Sequence, residues 1–398
     1  MTSRPPVRSA SRAPIYLDYQ ATTPIDPCVL DAMLPYLTER YGNPHSAAHR
    51  FGWEAAAAVD VARQKIAQLI GAKPEEIIFT SGATEANNLA IKGVAHAYGH
   101  KKRHLVTTVI EHKCVLESMR ALERQGFSVT YLPVNRDGLI ELADAAAAID
   151  DNTALVSVMA VNNEIGVIEP IAEVGRLCRE RGAKFHVDAA QAAGKIALDA
   201  EAMNIDLMSL SAHKMYGPKG VGALYVRKKP RVVLEPLFHG GGQEQGLRSG
   251  TLAPALIVGF GEAAAIAARN MATETARIEE MSKTFLARLH RALNGVTLNG
   301  SEARRYWGNL NLSFDGVDGE RLLAGLRDIA VSSGAACASG SKEPSYVLAA
   351  IGVSDRQAKS SLRIGFGRFT TDEDITAAAD TLIAAVRRSR GEFKVLHA

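Results

Sequence analysis

Asp206-Leu-Met-Ser-Leu-Ser-Ala-His-Lys-Met-Tyr-Gly-Pro-Lys-Gly220 decides how the chain is read. Leu207 to Leu210 is the short apolar run of a buried strand, and Ser211, His213 and Lys214 follow where that strand should end. Tyr216-Gly217-Pro218 breaks the chain, and Val221 to Val226 starts another strand. A lysine at the carboxyl end of a strand, partly withdrawn from water, loses its proton more readily and can condense with an aldehyde. A lysine beside a Gly-Pro turn can equally be a solvated side chain, so its neighbours must decide.

Outward from this stretch, strands alternate with helices. Residues 76–80, 104–110, 128–134, 154–161, 184–187, 207–210 and 221–226 read as strands. Residues 85–97, 115–125, 141–149 and 171–181 read as the helices between them. This alternation predicts an α/β fold with a mostly parallel seven-stranded sheet covered on both faces. Ligands of such sheets bind outside the carboxyl ends of the strands. Those ends carry Ser81-Gly-Ala-Thr84, Glu111-His112, Asn162-Asn163-Glu164, Asp188 with Gln191, and Ser211-Ala-His-Lys214. Among the six strands up to Leu210, only 128–134, followed by Asn135-Arg136-Asp137, delivers nothing of evident chemical use.

Each residue has a bland and a sharp reading. Ser81-Gly-Ala-Thr84 is either a simple helix cap or an anion site at a helix amino terminus. Asp188 ends an apolar strand, so a buried carboxylate there needs a cation or hydrogen-bond donors. A protonated pyridine nitrogen would serve, which points to pyridoxal phosphate with Lys214 on its aldehyde. His112 is a core histidine or a ring cover that shuttles protons. Gln191 could donate to the cofactor's phenolic oxygen. In Phe238-His-Gly-Gly-Gly-Gln-Glu-Gln-Gly-Leu-Arg-Ser-Gly-Thr251, Arg248 and Thr251 could reach a phosphate, or the loop is simply exposed. Arg363, inside Ser361-Leu-Arg-Ile-Gly-Phe-Gly-Arg368, needs an anion if buried, and a substrate carboxylate is a natural one.

The 398 residues are 47% hydrophobic, enough for a large core, with a net charge of +3 spread along the chain. This gives no reason for a nucleic-acid or membrane-surface partner, and no run of about 18 apolar residues suggests a membrane span. Cys28, Cys114, Cys178 and Cys337 have no CxxC spacing, which disfavours zinc or a disulfide framework and suits a reducing compartment. The first three are expected to pack within helices. Cys337 instead lies among small and polar residues, about 331–344, as an accessible nucleophile or an incidental surface thiol. Arg4, Arg8 and Arg12 make the first residues either a fragment of an organelle-targeting peptide or a bacterial amino terminus. Helices are expected at residues 28–36, 52–70, 253–273, 279–293 and 320–329, a strand at 310–314, and a capped final helix after Thr371-Asp-Glu-Asp374.

The motifs together resemble the class I cysteine desulfurases, fold-type I pyridoxal-phosphate enzymes. They are Leu17-Asp-Tyr-Gln-Ala-Thr-Thr-Pro24, Gly42-Asn-Pro-His-Ser46, Thr80-Ser-Gly-Ala-Thr-Glu85, Glu111-His112 and Val161-Asn-Asn-Glu-Ile-Gly166. Asp188-Ala-Ala-Gln191, Ser211-Ala-His-Lys-Met-Tyr-Gly-Pro-Lys219, Gln243-Glu-Gln-Gly-Leu-Arg-Ser-Gly-Thr251 and Ser332-Ser-Gly-Ala-Ala-Cys337 complete the set.

The resemblance implies conversion of L-cysteine to L-alanine, with a persulfide on Cys337 passed to an acceptor for iron–sulfur cluster assembly or another thio-cofactor. It implies that Lys214 carries the Schiff base, Asp188 pairs with the pyridine nitrogen, Gln191 contacts the phenolic oxygen and His112 stacks on the ring. Ala83, Thr84, Ser211 and His213 would hold the phosphate, with Thr251 coming from the partner in a homodimer. Asn163, beside the cofactor, and Arg363 would orient the substrate carboxylate. The implied division is a large cofactor-binding domain, 24–269, and a smaller α+β domain of 1–23 and 270–398. The location implied is the bacterial cytoplasm, or alternatively the mitochondrial matrix. Rival readings are another pyridoxal-phosphate lyase or aminotransferase, such as a selenocysteine lyase, and a non-catalytic partner-binding dimer. Relatives that feed an iron–sulfur scaffold usually carry a longer tail with a Pro-Leu-Trp-type segment. This chain ends Ser389-Arg-Gly-Glu-Phe-Lys-Val-Leu-His-Ala398, which leaves the sulfur acceptor open.

Overall fold

The computed structural model describes residues 14–333 and 344–391. The expectations for the first residues, for Cys337 and for the end of the chain fall outside them. The chain opens with a two-residue strand β1 (Ile15–Tyr16), then helices α1 (Pro27–Thr38) and α2 (Arg50–Leu69). Asp26 caps α1 by accepting from the Cys28 N–H at 3.0 Å, and Pro27 takes the first helical position, where no N–H is needed. Cys28 is exposed there rather than packed, because the first turn of α1 turns it to solvent.

The alternating part follows as β2 (Ile77–Thr80), α3 (Ala83–Tyr98), β3 (His104–Thr108), α4 (Lys113–Glu123), β4 (Ser128–Leu132), α5 (Leu142–Ala148), β5 (Thr153–Met159), α6 (Ile171–Arg181), β6 (Lys184–Asp188), β7 (Leu207–Ser211) and β8 (Gly222–Val226). These strands form one seven-stranded sheet in the order β2-β8-β7-β6-β5-β3-β4. Only β8 runs antiparallel to its neighbours, so it presents its amino end where the others present carboxyl ends.

Alternate strand residues feed the two faces, as the period of two requires. Val106, Val156, Phe79 and Tyr225 join a core with α2, α5, α6 and helix α7 (Pro254–Ala292). Leu105, Leu155, Ile78 and Leu224 join another with α3 and α4. A further core gathers β1, the end of α7, β10 (Asn309–Phe314), β13 (Ser361–Gly365) and the final helix α11 (Asp372–Ser389). Between them lie β9 (Val296–Leu298), α8 (Gly319–Ala324), β11 (Ile329–Ala330), β12 (Ser332–Ser333), α9 (Tyr346–Ala350) and α10 (Asp355–Lys359). β9, β10, β13 and β12 form a four-stranded antiparallel sheet, and β1 pairs with β11.

The expected helices at 253–273 and 279–293 are one continuous 39-residue helix, α7. The intervening Glu274-Thr-Ala-Arg-Ile278 contains no Gly or Pro to stop it. Helix 320–329 ends at Ala324, and Ile329 turns instead into the strand that pairs with Ile15. Among the described residues α7 alone is long and apolar enough to cross a membrane. Half of that stretch is buried in the protein, chiefly against α1 and α2, as in a core helix.

The cap of α11 follows the sequence pattern: Thr371 Oγ1 accepts from the Asp374 N–H, and the Asp374 carboxylate accepts from the Thr371 N–H, both at 3.1 Å. Thr371→Ala is expected to lower stability by about 1 kcal/mol, read from the midpoint of urea unfolding.

Candidate active site

The carboxyl ends of β2, β3, β5, β6 and β7 meet at one cavity of about 560 Å³, a size suited to a small organic ligand. Lys214, His112, Asp188, Gln191, Asn163, Ala83, Thr84, Ser211, His213 and Arg363 all line it. Of the residues singled out in the sequence, Thr251 is exposed and does not line the cavity of this one chain, and Cys337 lies outside the described residues.

Asp188 is the last residue of the central strand and is buried. Asn87 Nδ2 donates to its Oδ2 at 2.7 Å and the Ala190 N–H to its Oδ1 at 2.9 Å. A carboxylate has about four acceptor positions, so it can accept a further donor from the cavity. Lys214 follows β7 on a single helical turn. Its Nζ donates to the Gln20 and Ala21 carbonyls, the latter at 2.9 Å. Tyr216, two residues on, has φ of 67°, a conformation that costs a non-glycine residue about 1–3 kcal/mol. It is held there by Thr23 Oγ1 on its N–H at 2.8 Å and by Arg368, whose guanidinium lies 4.1 Å from its ring centroid.

His112 caps α4: its Nδ1 accepts from the Cys114 N–H at 3.2 Å and lies 3.0 Å from Cys114 Sγ. In the neutral ring the proton therefore sits on Nε2. Burial pushes the imidazole pKa down, aided by Lys214 and Lys113 and opposed by Asp188. Burial, with Lys214, Lys219 and Lys195, pushes His213 down to about 4. Both rings are thus neutral at pH 7. Cys114 lines the cavity rather than merely packing, and burial, then Asp188, push its thiol up to about 12.

Helix α3 begins at the cavity with Gly82 as its cap, which offers no capping side chain. The first-turn N–H groups of Ala83 and Thr84 have no partner within the helix and stand at the positive end of its dipole. Gly222 lets β8 pass close beneath this turn, since a Cβ there would lie 2.6 Å from Gly82 Cα. Arg248, read as either a phosphate contact or part of an exposed loop, is paired with Glu85 at 2.8 Å.

Arg363 on β13 is buried, but the chain itself supplies an anion: Nη2 pairs with Asp18 Oδ1 at 2.8 Å. Nη1 donates to the Asn163 carbonyl at 3.3 Å, while Nε has no partner among the described residues. Behind the cavity, burial pushes Glu111 well up and brings Glu164 to about 7, against the Ser345 hydroxyl, which donates to it.

Asp18, Asn87 and the cavity role of Cys114 escaped the sequence reading. Asn87 carried a signal, a polar residue on the apolar stripe of α3. Asp18 carried none beyond its motif, because its partner is 345 residues away.

A lysine, a buried aspartate and a helix amino terminus at the carboxyl edge of such a sheet are the equipment of an aminotransferase-type enzyme. The chain belongs to the class-V aminotransferase family, whose model matches residues 15–377, and within it to the cysteine desulfurases. It is 56% identical over 377 residues to the cysteine desulfurase IscS of Rickettsia felis, covering 95% of this chain and 92% of that protein. It is 59% identical over 377 residues to the mitochondrial cysteine desulfurase of Drosophila melanogaster, covering 95% and 82%. Among solved structures, a NifS-like protein is similar with a TM-score of 0.88 at 37% identity, over 94% of this chain and 100% of that one. Enzymes of this family depend on pyridoxal phosphate.

The depressed histidines set an acid limit. A folded-state pKa below the unfolded value of about 6.5 means the unfolded chain binds the proton first, so stability falls as pH drops from about 6.5 toward 4. NMR titration should place His213 near 4, with His112 titrating below an exposed histidine. His213→Asn should flatten the loss of stability across that window.

Proposed function

We propose that this chain is a cysteine desulfurase that takes L-cysteine to L-alanine, using pyridoxal phosphate held in the cavity and Cys337 as sulfur acceptor. The sulfur then passes to an acceptor protein for iron–sulfur cluster assembly or another thio-cofactor. The observation that carries this reading is the convergence of Lys214, Asp188, His112 and the start of α3 on one cavity. These residues fit the cofactor: an amine for its aldehyde, a buried carboxylate with acceptor capacity for its ring nitrogen, and an uncapped helix terminus for its phosphate.

Pyridoxal phosphate, when bound, supplies an electron sink for the pair released at the substrate α-carbon. Lys214 Nζ would hold its aldehyde, and the same amine would serve as the proton carrier beside the substrate α-carbon. Asp188 retains the ring-nitrogen proton, and Gln191 donates to the phenolic oxygen. His112 covers a ring face, and with Nδ1 engaged by Cys114 its proton exchange runs at Nε2. The Ala83 and Thr84 N–H groups, with Ser211 and His213, hold the phosphate. Asn163 and Arg363, which both line the cavity, orient the substrate carboxylate. The Cys337 thiolate attacks the substrate sulfur: an S–S bond forms, the C–S bond breaks, and protonation of the carbon skeleton yields alanine. The sulfur remains as a persulfide on Cys337, so no outside oxidant is needed.

The enzyme is a homodimer in this reading, with Thr251 completing the partner's phosphate site. Leu30, Leu34 and Leu37, spaced on one side of α1, are 43%, 46% and 58% exposed, and Trp53 of α2 is 57% exposed, which suits a covered face. The separate apolar cores support a large domain of residues 24–269 and a smaller one of 1–23 with 270–398, α7 crossing between them. We place the enzyme in a bacterial cytoplasm, with the mitochondrial matrix as the alternative.

Alanine and sulfide released from L-cysteine under a reductant test the assignment. Wild type should yield them in equal amounts. Cys337→Ser and Lys214→Ala should each lose at least about 100-fold, Lys214→Ala also losing the cofactor's visible band. Full activity of Cys337→Ser would remove Cys337 from the mechanism, and no alanine from wild type would remove cysteine as the substrate.

A further inference from the structure

After Asp188 the chain turns through a series of short backbone bonds, with the Ala192 and Ala193 N–H groups on the Ala189 carbonyl and the Lys195 N–H on the Ala192 carbonyl. This brings Lys195 under Gln191. Lys195 Nζ donates to Gln191 Oε1 at 2.8 Å, and Gln191 Nε2 donates to the Gln20 carbonyl at 2.9 Å. The Gln20 carbonyl also accepts from Lys214 Nζ. Lys195 is only 9% exposed and forms no ion pair among the described residues; beyond Gln191 its amine faces the Tyr306 ring, 5.5 Å from the centroid.

A buried lysine without a carboxylate beside it calls for an explanation. The two ends of an amide are opposite in character, and a lysine amine at this position donates. With Oε1 committed to Lys195 and one Nε2 N–H on the Gln20 carbonyl, the amide of Gln191, which lines the cavity, has its second N–H left to donate.

We propose that Lys195 is a positioning residue of the cofactor site, fixing the Gln191 amide so that Nε2 donates to the phenolic oxygen of pyridoxal phosphate. This rests on the cavity being the cofactor site, as read above. Burial, with Lys214 pushing the same way and Glu274 opposing, brings the Lys195 amine down to about 7. Charged or neutral, it keeps an N–H to donate, so the positioning survives its titration.

The test uses purified full-length protein loaded with pyridoxal phosphate: wild type, Lys195→Met, Lys195→Gln, Gln191→Ala and the Lys195→Met/Gln191→Ala pair. The readouts are the visible absorption maximum, the rate of cofactor loss on dialysis, and kcat and KM for L-cysteine. Loss of one oriented hydrogen bond is expected to lower kcat about 5- to 20-fold with KM changed less than about twofold. Lys195→Met should shift the absorption maximum in the same direction as Gln191→Ala, and the pair should shift it no further. Lys195→Gln, which keeps an N–H donor, should return the maximum toward wild type, and Lys195→Ala takes the place of Lys195→Met if that variant does not fold. A wild-type maximum in Lys195→Gln beside shifted maxima in Lys195→Met and Gln191→Ala supports positioning. A wild-type maximum in Lys195→Met overturns it, as do additive shifts in the pair. A wild type with no visible band at all overturns the cofactor reading itself, and the two failures are thereby distinct.

Discussion

A carboxylate buried at the end of the central strand sets the rest of the site. Asp188 sits where β6, flanked by β5 and β7, leaves a sheet that is apolar on both faces. Leaving such a group short of donors costs about 1–3 kcal/mol, a sizeable part of a typical folding free energy. The chain meets this with Asn87, one turn into α3, and with the N–H of Ala190. The Asn87 bond also fixes where α3 begins relative to β6. The helix terminus that would hold a phosphate and the carboxylate that would hold a ring nitrogen are therefore positioned by the same contact.

The cavity's other wall is borrowed from distant sequence. Gln20 and Ala21 receive Lys214, Thr23 receives the backbone around Tyr216, and Asp26 pairs with Arg368 at 2.8 Å. Arg368 also pairs with Glu274 of α7 at 2.9 Å and covers the Tyr216 ring. These bonds hold the left-handed turn after Lys214 against its own strain. They also explain why the chain tolerates a buried guanidinium: two carboxylates and an aromatic face replace its water.

The sheet was legible because each strand is a short apolar run closed by turn residues, and because the edge rule says where its polar ends must gather. The motif residues that line the cavity were legible for the same reason. What was hidden needs three dimensions. No local signal joins Asp18 to Arg363 or Arg248 to Glu85, so the sequence shows each arginine without the carboxylate that the fold pairs with it. The continuity of α7 was hidden because a polar stretch without Gly or Pro looks like a connection, although nothing in it stops a helix. Nothing in the sequence around Lys195 shows that its amine lies on Gln191.

The pairing of Arg363 bears on the substrate-carboxylate role proposed for it. With Asp18 at 2.8 Å and the Ser332 hydroxyl donating to the same aspartate at 2.8 Å, the guanidinium is already largely neutralised. A substrate carboxylate bound beside it, as proposed above, would share that positive charge with Asp18, which stays close enough to repel it. In the proposed reading Arg363 would contribute direction more than attraction. A site built this way would orient a small amino acid without holding it tightly, which suits a reaction whose carbon product carries the same carboxylate as its substrate and must leave after every turnover.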